Sequence, residues 1–493
     1  MKAKRIISAA AALSIASGIS GTAAYIPAPC AGLISAFAED EGPDQPKVYK
    51  KKNGLTFSVF TDHAVLIGLE KTDMLYPGEI EIPSSIGSIP VKIIDDYALM
   101  HHEELTDVII SEGIEEIGKR AFDGCDSLTE IILPKSLTRL DSEAFDLCLS
   151  LREISIPGSV RTVGMGAFGY CGSLETVTLH EGTETLGAHV FDNCSALKEI
   201  TIPDSVTVIG SNAFNNCTGL TELRLPEGLT ELGSSALKGC TGITSFTFPE
   251  GIKNIPDGVL SGCTGLTEIA LPAVTEQIGN EAFSGCSGLT EIALPAGTKW
   301  IGDEAFDECT GLTALIIPDT VSHIGEAAFR NCTGITSAAL PEGVRGISRE
   351  MFSGCSALTE ITLPVSSLTV DADAFSGCIS LTDVYYPGTE EQWEKLKGNS
   401  SAGNDALFSA AEVHFTGDKG QAPEIIRGDA NGDGKITVSD AVAVLQYIAN
   451  SVKYPLDGDS LLSADCDGEI GITGGDALMI QRYDAGIITE FPE

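Results

Sequence analysis

The chain has 493 residues, with 30 Lys+Arg against 70 Asp+Glu and a formal net charge of −40 at pH 7. That balance excludes nucleic acid and anionic membrane surfaces as partners and favours basic proteins and divalent cations. The length exceeds one ordinary domain, which leaves either several domains or one elongated array.

The N-terminus reads as an export signal: a basic "MKAKRI" leads into "ISAAAALSIASGISGTAA", which is small and apolar. Small-x-small cleavage sites end at Ala24 and Ala38, and the acidic, hydrophilic stretch after Ala38 favours the second, so residues 1–38 are expected to be removed. Cys30 follows a Pro, a poor context for lipid attachment. No later segment reaches the roughly eighteen consecutive apolar residues of a membrane span, so a soluble, secreted chain is expected.

Further along, the sequence repeats. Twelve of its 14 cysteines, from Cys125 to Cys378, fall 23 residues apart without an insertion. Such a period marks a solenoid, whose coils bury too little alone and stack on their neighbours about 4.8 Å apart. One unit, "CDSLTEIILPKSLTRLDSEAFDL" (125–147), places Leu128, Ile131 and Leu133 with strand-like alternation, and Pro134 ends the strand where no ladder donor is needed. Leu137, Leu140, Ala144 and Phe145 close the coil. Phenylalanine recurs ten times on this ruler from Phe122 to Phe375, with Leu237 and Leu260 in the two gaps, which predicts a core ladder. In-register stacking sets neighbouring cysteine Cβ atoms further apart than the roughly 3.8 Å a disulfide prefers, so buried free thiols are expected.

Two outward positions per strand form an accessible face. One runs from Asp107 through Glu130 and Glu153 to Asp383 and is acidic in nine of thirteen coils. Stacked carboxylates about 5 Å apart repel by roughly 1 kcal/mol per pair in water, so the row is either solvated charge or a grip for a cation or basic partner. The other position, with Ile109, Ile132, Ser155, Thr178 and Tyr385 among its occupants, is small and nearly free of aromatics, which disfavours polysaccharide binding. Trp300 and His323 share a column one coil apart and read as either a small contact patch or a chance pair on the outer surface.

The unit C-x-x-L-x-x-I-x-L-P-x-x-[LV]-x-x-I-G-x-x-A-F resembles the BspA-like leucine-rich repeat over roughly 80–390. The flanks resemble the same family: "IEIPSSIGSIPVKIIDDYAL" (80–99) is similar to its longer opening repeat, and residues 383–415 to its closing cap. His102 takes the cysteine position in the first coil. The resemblance implies an α/β-type repeat, a leucine-rich-repeat solenoid with 23-residue coils. It also implies a secreted or surface-exposed protein engaged in adhesion or protein binding, with an unknown protein or cell-surface ligand. The seven histidines form no H-E-x-x-H or comparable spacing, and no G-x-S-x-G elbow or P-loop occurs, so no enzymatic activity is expected. His101 and His102, being adjacent, would point to opposite sides of a strand.

After a polar linker at 416–425 the rhythm stops, and residues 428–440 read "GDANGDGKITVSD". Asp429, Asn431, Asp433, the Lys435 carbonyl and Asp440 occupy positions 1, 3, 5, 7 and 12 of a calcium loop, with Gly434 at the sharp turn. Ile436 at position 8 should point inward, ahead of an amphipathic helix. A second copy starts 36 residues later with Asp465, Asp467, Glu469 and Asp476 at positions 1, 3, 5 and 12, followed by helix in "ALMIQRY". There Ile470 replaces the turn glycine; a β-branched residue resists that conformation, so the second site is expected to be distorted or weak. Two loop–helix copies lacking the leading helix of an EF-hand resemble a type I dockerin over 426–491, a small all-α calcium-binding domain.

That resemblance implies calcium-dependent docking into a cohesin module on a scaffold protein of plant-fibre-degrading bacteria. It places recognition at Val438, Ser439, Leu445, Gln446, Gly474, Gly475, Gln481 and Arg482. The expected organisation is therefore a signal (1–38), a cap with the opening repeat (39–100), repeats (101–382), a closing cap (383–415), the linker and the dockerin. The expected function is that of a secreted, non-catalytic cellulosome-type component displaying an interaction solenoid. The alternative is a secreted or surface adhesin whose calcium-binding tail is only structural.

Overall fold

The computed structural model describes residues 48–52, 54–69, 78–313, 315–415, 427–428, 430, 436, 438–449, 456, 463–466, 471–484, 487–488 and 491. The proposed signal, its cleavage sites, the linker, and the loop residues Asp429, Asn431, Asp433, Gly434, Lys435, Asp467, Glu469 and Ile470 lie outside the described residues. The repeats form a β-solenoid of about 14 turns with 23-residue coils. Two units divide the chain, residues 1–266 and 267–493.

The first unit opens with an antiparallel meander of Val48–Lys52, Leu55–Val59 and Ala64–Leu69, and the last of these pairs in parallel with Ile89–Ile94. Leu55, Phe57, Ala64 and Leu66 are buried, so the meander roofs the first coil and leaves no bare apolar end. Two rows of short parallel strands follow. One contains Glu79–Ile82, Asp107–Ile110 and Glu130–Ile132, then Glu153–Ile156, Thr176–Leu179 and Glu199–Thr201. The other runs from Glu116–Ile117 through Arg139–Leu140 to Glu231–Leu232. The register equals the repeat: Glu153 lies beside Thr176 and Thr176 beside Glu199.

The second unit is built the same way, with Ser337–Ala339, Glu360–Thr362 and Asp383–Tyr386 in one row and Gln277–Ile278, Trp300–Ile301 and His323–Ile324 in another. Its array closes with helix α1 (Glu390–Gly398), begun by a Thr389/Gln392 capping box, and with Glu412–Phe415, which pairs in parallel with Asp383–Tyr386. Trp393 and Leu396 of α1 are buried, and the Trp393 ring lies 5.3 Å from that of Tyr386, a lid over the last coil.

The third side of each coil is a run of turns rather than a helix. Non-glycine residues in the left-handed region recur there, such as Glu143 (φ +57°) and Leu147 (φ +59°), and each breaks helical continuity. The N–H groups bond instead to the next coil, as Phe122 N–H does to the Ala144 carbonyl (2.8 Å) and Phe145 N–H to Ala167 (2.8 Å). His101 and His102 lie in such a turn, with His101 at φ +56°, so they are not strand neighbours.

The core is the stacked ladder that the spacing implies. Phe122, Phe145, Phe168, Phe191 and Phe214 are fully buried, with successive ring centroids 4.8, 5.3, 5.7 and 5.7 Å apart. Leu237 and Leu260 fill the gap at equal burial. All twelve repeat cysteines are free and buried. Some also donate: Cys148 Sγ–H reaches the Phe122 carbonyl at 3.3 Å and Cys171 Sγ–H the Phe145 carbonyl at 3.2 Å, each a link from one coil to the one before. Burial pushes these thiols up, Cys125 and Cys332 to about 12.

Candidate functional site

Two helices carry the tail: α2 (Val438–Ala449) and α3 (Gly474–Asp484). They enclose a small core of Ala430, Ala441, Val444, Ala464, Cys466, Ala477 and Ile480. Ile436 and Ile472, the position-8 residues of the two copies, pack against that core, as does Phe491. The module closes on itself, since Gly428 N–H donates to the Ser463 carbonyl (2.6 Å) and the Tyr483 and Phe491 rings stack at 5.0 Å. A side chain on Gly428 would meet the Phe491 ring at 2.6 Å, and its φ of +98° also requires glycine.

The position-12 carboxylates, Asp440 and Asp476, are both completely buried in the first turns of α2 and α3. A buried carboxylate demands compensation. Asp476 receives two backbone donors, Cys466 N–H on Oδ1 and Thr473 N–H on Oδ2, both at 2.7 Å. Favourable interaction with the helix N-terminus adds to this. Asp465, at position 1, is partly buried and accepts from Gly471 N–H at 3.1 Å. This hard-oxygen set at matched positions of two copies fits calcium.

In the second copy a glycine follows directly after the loop position taken by Ile470. Gly471 adopts φ +92°, the left-handed conformation that Ile470 would resist, and it supplies the N–H that holds Asp465. The loop spacing gives no sign of Cys466, whose N–H donates to Asp476.

Of the recognition residues inferred from the sequence, Leu445, Gln446, Gln481 and Arg482 are exposed on α2 and α3, and Val438, Ser439, Gly474 and Gly475 lie in their first turns. Val442 (45% exposed) and Ile448 (46%) flank Leu445 (46%), an apolar stripe left open on α2. Among the described residues, the tail's included, no three Asp, Glu, His or Cys side chains converge on a metal-sized point.

On the array, the strand row presents Glu130, Glu153 and Glu199 to solvent, beside Ile109 (64% exposed) and Ile132 (71%). Trp300 and His323 stack with centroids 3.5 Å apart on the second strand row.

A solenoid of short parallel strands with a phenylalanine–cysteine spine, joined to a paired loop–helix module, defines a leucine-rich-repeat protein with a docking tail. The model of the BspA type leucine-rich repeat region matches residues 92–218, 184–309 and 276–396 in six copies, and that of the dockerin type I domain matches 427–483. The chain belongs to the BspA-type leucine-rich repeat family and carries a C-terminal type I dockerin. A crystal structure of a leucine-rich repeat protein from Bacteroides ovatus is similar, with 28% identity and a TM-score of 0.60, over 74% of this chain and 99% of that one. The pneumococcal vaccine antigen PcpA shares the fold at 21% identity and a TM-score of 0.55, over 75% of this chain and 99% of its own. A curated relative, a xylanase/beta-glucanase of Ruminococcus flavefaciens, is 39% identical over 75 residues. The match takes in 13% of this chain and spans 9% of that protein's length. Both recognised domain types are non-catalytic. A type I dockerin binds calcium and implies a cohesin partner and cellulosome-type assembly. No helix among the described residues is long and apolar enough to cross a membrane.

Proposed function

We propose that this protein is a secreted, non-catalytic component of a cellulosome-type complex, moored by residues 426–491 to a scaffold cohesin while its solenoid contacts protein or cell surfaces. The observation that carries this reading is the paired module itself: two helices with buried carboxylates at their starts and an open apolar and polar face across Leu445, Gln446, Gln481 and Arg482. Calcium held by Asp429, Asn431, Asp433, Lys435 and Asp440 in one loop, and by Asp465, Asp467, Glu469 and Asp476 in the other, supplies fixed positive charge that staples each loop to its helix. The first loop, with glycine at its sharp turn, is the stronger site, and Ile470 in place of that glycine weakens the second. Val438, Ser439, Gly474 and Gly475 complete the cohesin-facing surface. The export signal at 1–38 provides the route out of the cell, and residues 383–415 seal the array ahead of the linker.

The test is capture of the full-length protein on immobilised cohesins of one host, with calcium and then with chelator. Binding that disappears on chelation supports the docking role. Equal capture in both conditions, or none by any cohesin of that host, overturns it.

A further inference from the structure

One position breaks the repeat in a place with chemical consequences. The residue that ends each strand is proline in eleven coils, from Pro134 and Pro157 to Pro387, but His180 in the third of that series. The substitution gives the coil an N–H, which donates to the Ile156 carbonyl (3.2 Å), and places an imidazole at the strand edge, where Nε2 lies 3.0 Å from Ser155 Oγ. This pair stands within a groove of about 780 Å³ across three coils, lined by Glu130, Ile132, Lys135, Glu153, Thr176 and Glu181 among others. The volume falls in the usual range of about 300–1,000 Å³ for ligand sites. Close approach of two turns shapes its lip: a Cβ on Gly158 would fall 1.7 Å from the Glu181 carbonyl oxygen, so only glycine fits. Glu130 and Glu153, both exposed, make no ion pair or side-chain hydrogen bond among the described residues, although other acidic side chains of this unit, such as Glu175 with Lys198 at 2.7 Å, do.

The groove therefore offers unpaired carboxylates in one column, a bare isoleucine and Ser155 in the next, and His180, bonded to Ser155, beyond. We propose that the groove bounded by Glu130, Glu153 and His180 docks an extended peptide segment of a partner protein, one in which basic residues alternate with aliphatic ones. Charge complementarity selects a basic peptide: the lining holds Glu130, Glu153 and Glu181 against Lys135, within a chain of net charge −40. Three coils at about 4.8 Å spacing span roughly 10 Å, the reach of about three extended residues, with flanking residues reaching the lip. Ile132, 71% exposed, provides the apolar contact for the intervening side chain. This deepens the reading of the array as an interaction module and rests on it. The cohesin assay reads only the tail, so the two fail separately.

The experiment uses the full chain and three capped pentapeptides, Lys-Leu-Lys-Leu-Lys and its Gln-Leu and Glu-Leu counterparts, measured by fluorescence polarisation at fixed ionic strength. The lysine peptide is expected to bind at least about tenfold more tightly than the glutamine peptide, and the glutamate peptide not at all. Glu130→Gln with Glu153→Gln should weaken the lysine peptide about tenfold, while Glu268→Gln with Glu291→Gln, in the same acidic column outside the groove, leaves it unchanged. His180→Pro restores the residue used by the other coils, so it leaves the fold intact and should weaken binding severalfold. Equal losses from both glutamate pairs would mean diffuse attraction to an acidic chain and would overturn the proposal, as would equal binding of the lysine and glutamine peptides.

Discussion

Replacing Phe168 by alanine is the sharpest test of how the array is held together. Its ring is fully buried and stacks on both sides, with centroids 5.3 Å from Phe145 and 5.7 Å from Phe191. Truncating a buried phenylalanine costs about 3–5 kcal/mol, and each stacked pair contributes about 0.5–1.5 kcal/mol beyond its buried area, which puts this site near the upper end. Leucine should cost only about 1 kcal/mol, because Leu237 and Leu260 occupy the same column fully buried. In urea unfolding followed by circular dichroism, at a slope of about 3 kcal/mol/M, the alanine variant should lose more than about 1 M from its midpoint and the leucine variant roughly 0.3 M. Equal shifts for the two variants, or a loss below about 1 kcal/mol for alanine, would refute the ladder as the principal source of cohesion between coils.

Two further outcomes follow from the buried ionisable groups. At about pH 8, a thiol pushed to about 12, as at Cys125, carries roughly a thousandfold less thiolate than an ordinary one near 9, before steric exclusion is counted. Iodoacetamide should therefore leave the repeat cysteines of the native protein unlabelled and modify them all in urea; native labelling at the denatured rate contradicts their burial. Asp146 is pushed up to about 6, first by burial and then by the neighbouring Asp123 and Glu143, with Arg120 opposing. A carboxyl raised above its unfolded value binds its proton more tightly when folded, so its ionisation costs stability as pH climbs from about 4 through 6. Asp146→Asn should stabilise the protein at pH 7 and make no difference below about pH 4; a loss of stability at pH 7 would contradict this assignment.

Much of the fold was legible because the repeat is exact. A fixed 23-residue interval dictates in-register stacking, so the burial of Phe145 or Cys148 follows from arithmetic before any contact is seen. The turn side was less legible. Leu147 and Glu143 give no sign in their residue types that they take left-handed backbone, and the reason, N–H groups bonded to the next coil, is non-local. The thiol was likewise expected as apolar filler, and only the geometry shows Sγ–H donating to the preceding coil. In the tail, the loop spacing could be read directly, whereas the Gly471 N–H that donates to Asp465 could not, because it depends on a left-handed backbone beyond the loop's sharp turn. The array groove had a signal in the sequence, His180 in a column of prolines. Its meaning depends on Ser155 lying across the coil boundary.

The central claim is that the array is displayed from a mooring made by the tail. It is tested most directly by calorimetric titration of the full-length protein with a host cohesin, in calcium and in chelator, alongside a variant carrying Asp440→Ala and Asp476→Ala. The account predicts one cohesin bound per chain in calcium and no heat in chelator or with the variant. Undiminished binding by the variant, or by the protein in chelator, would contradict it.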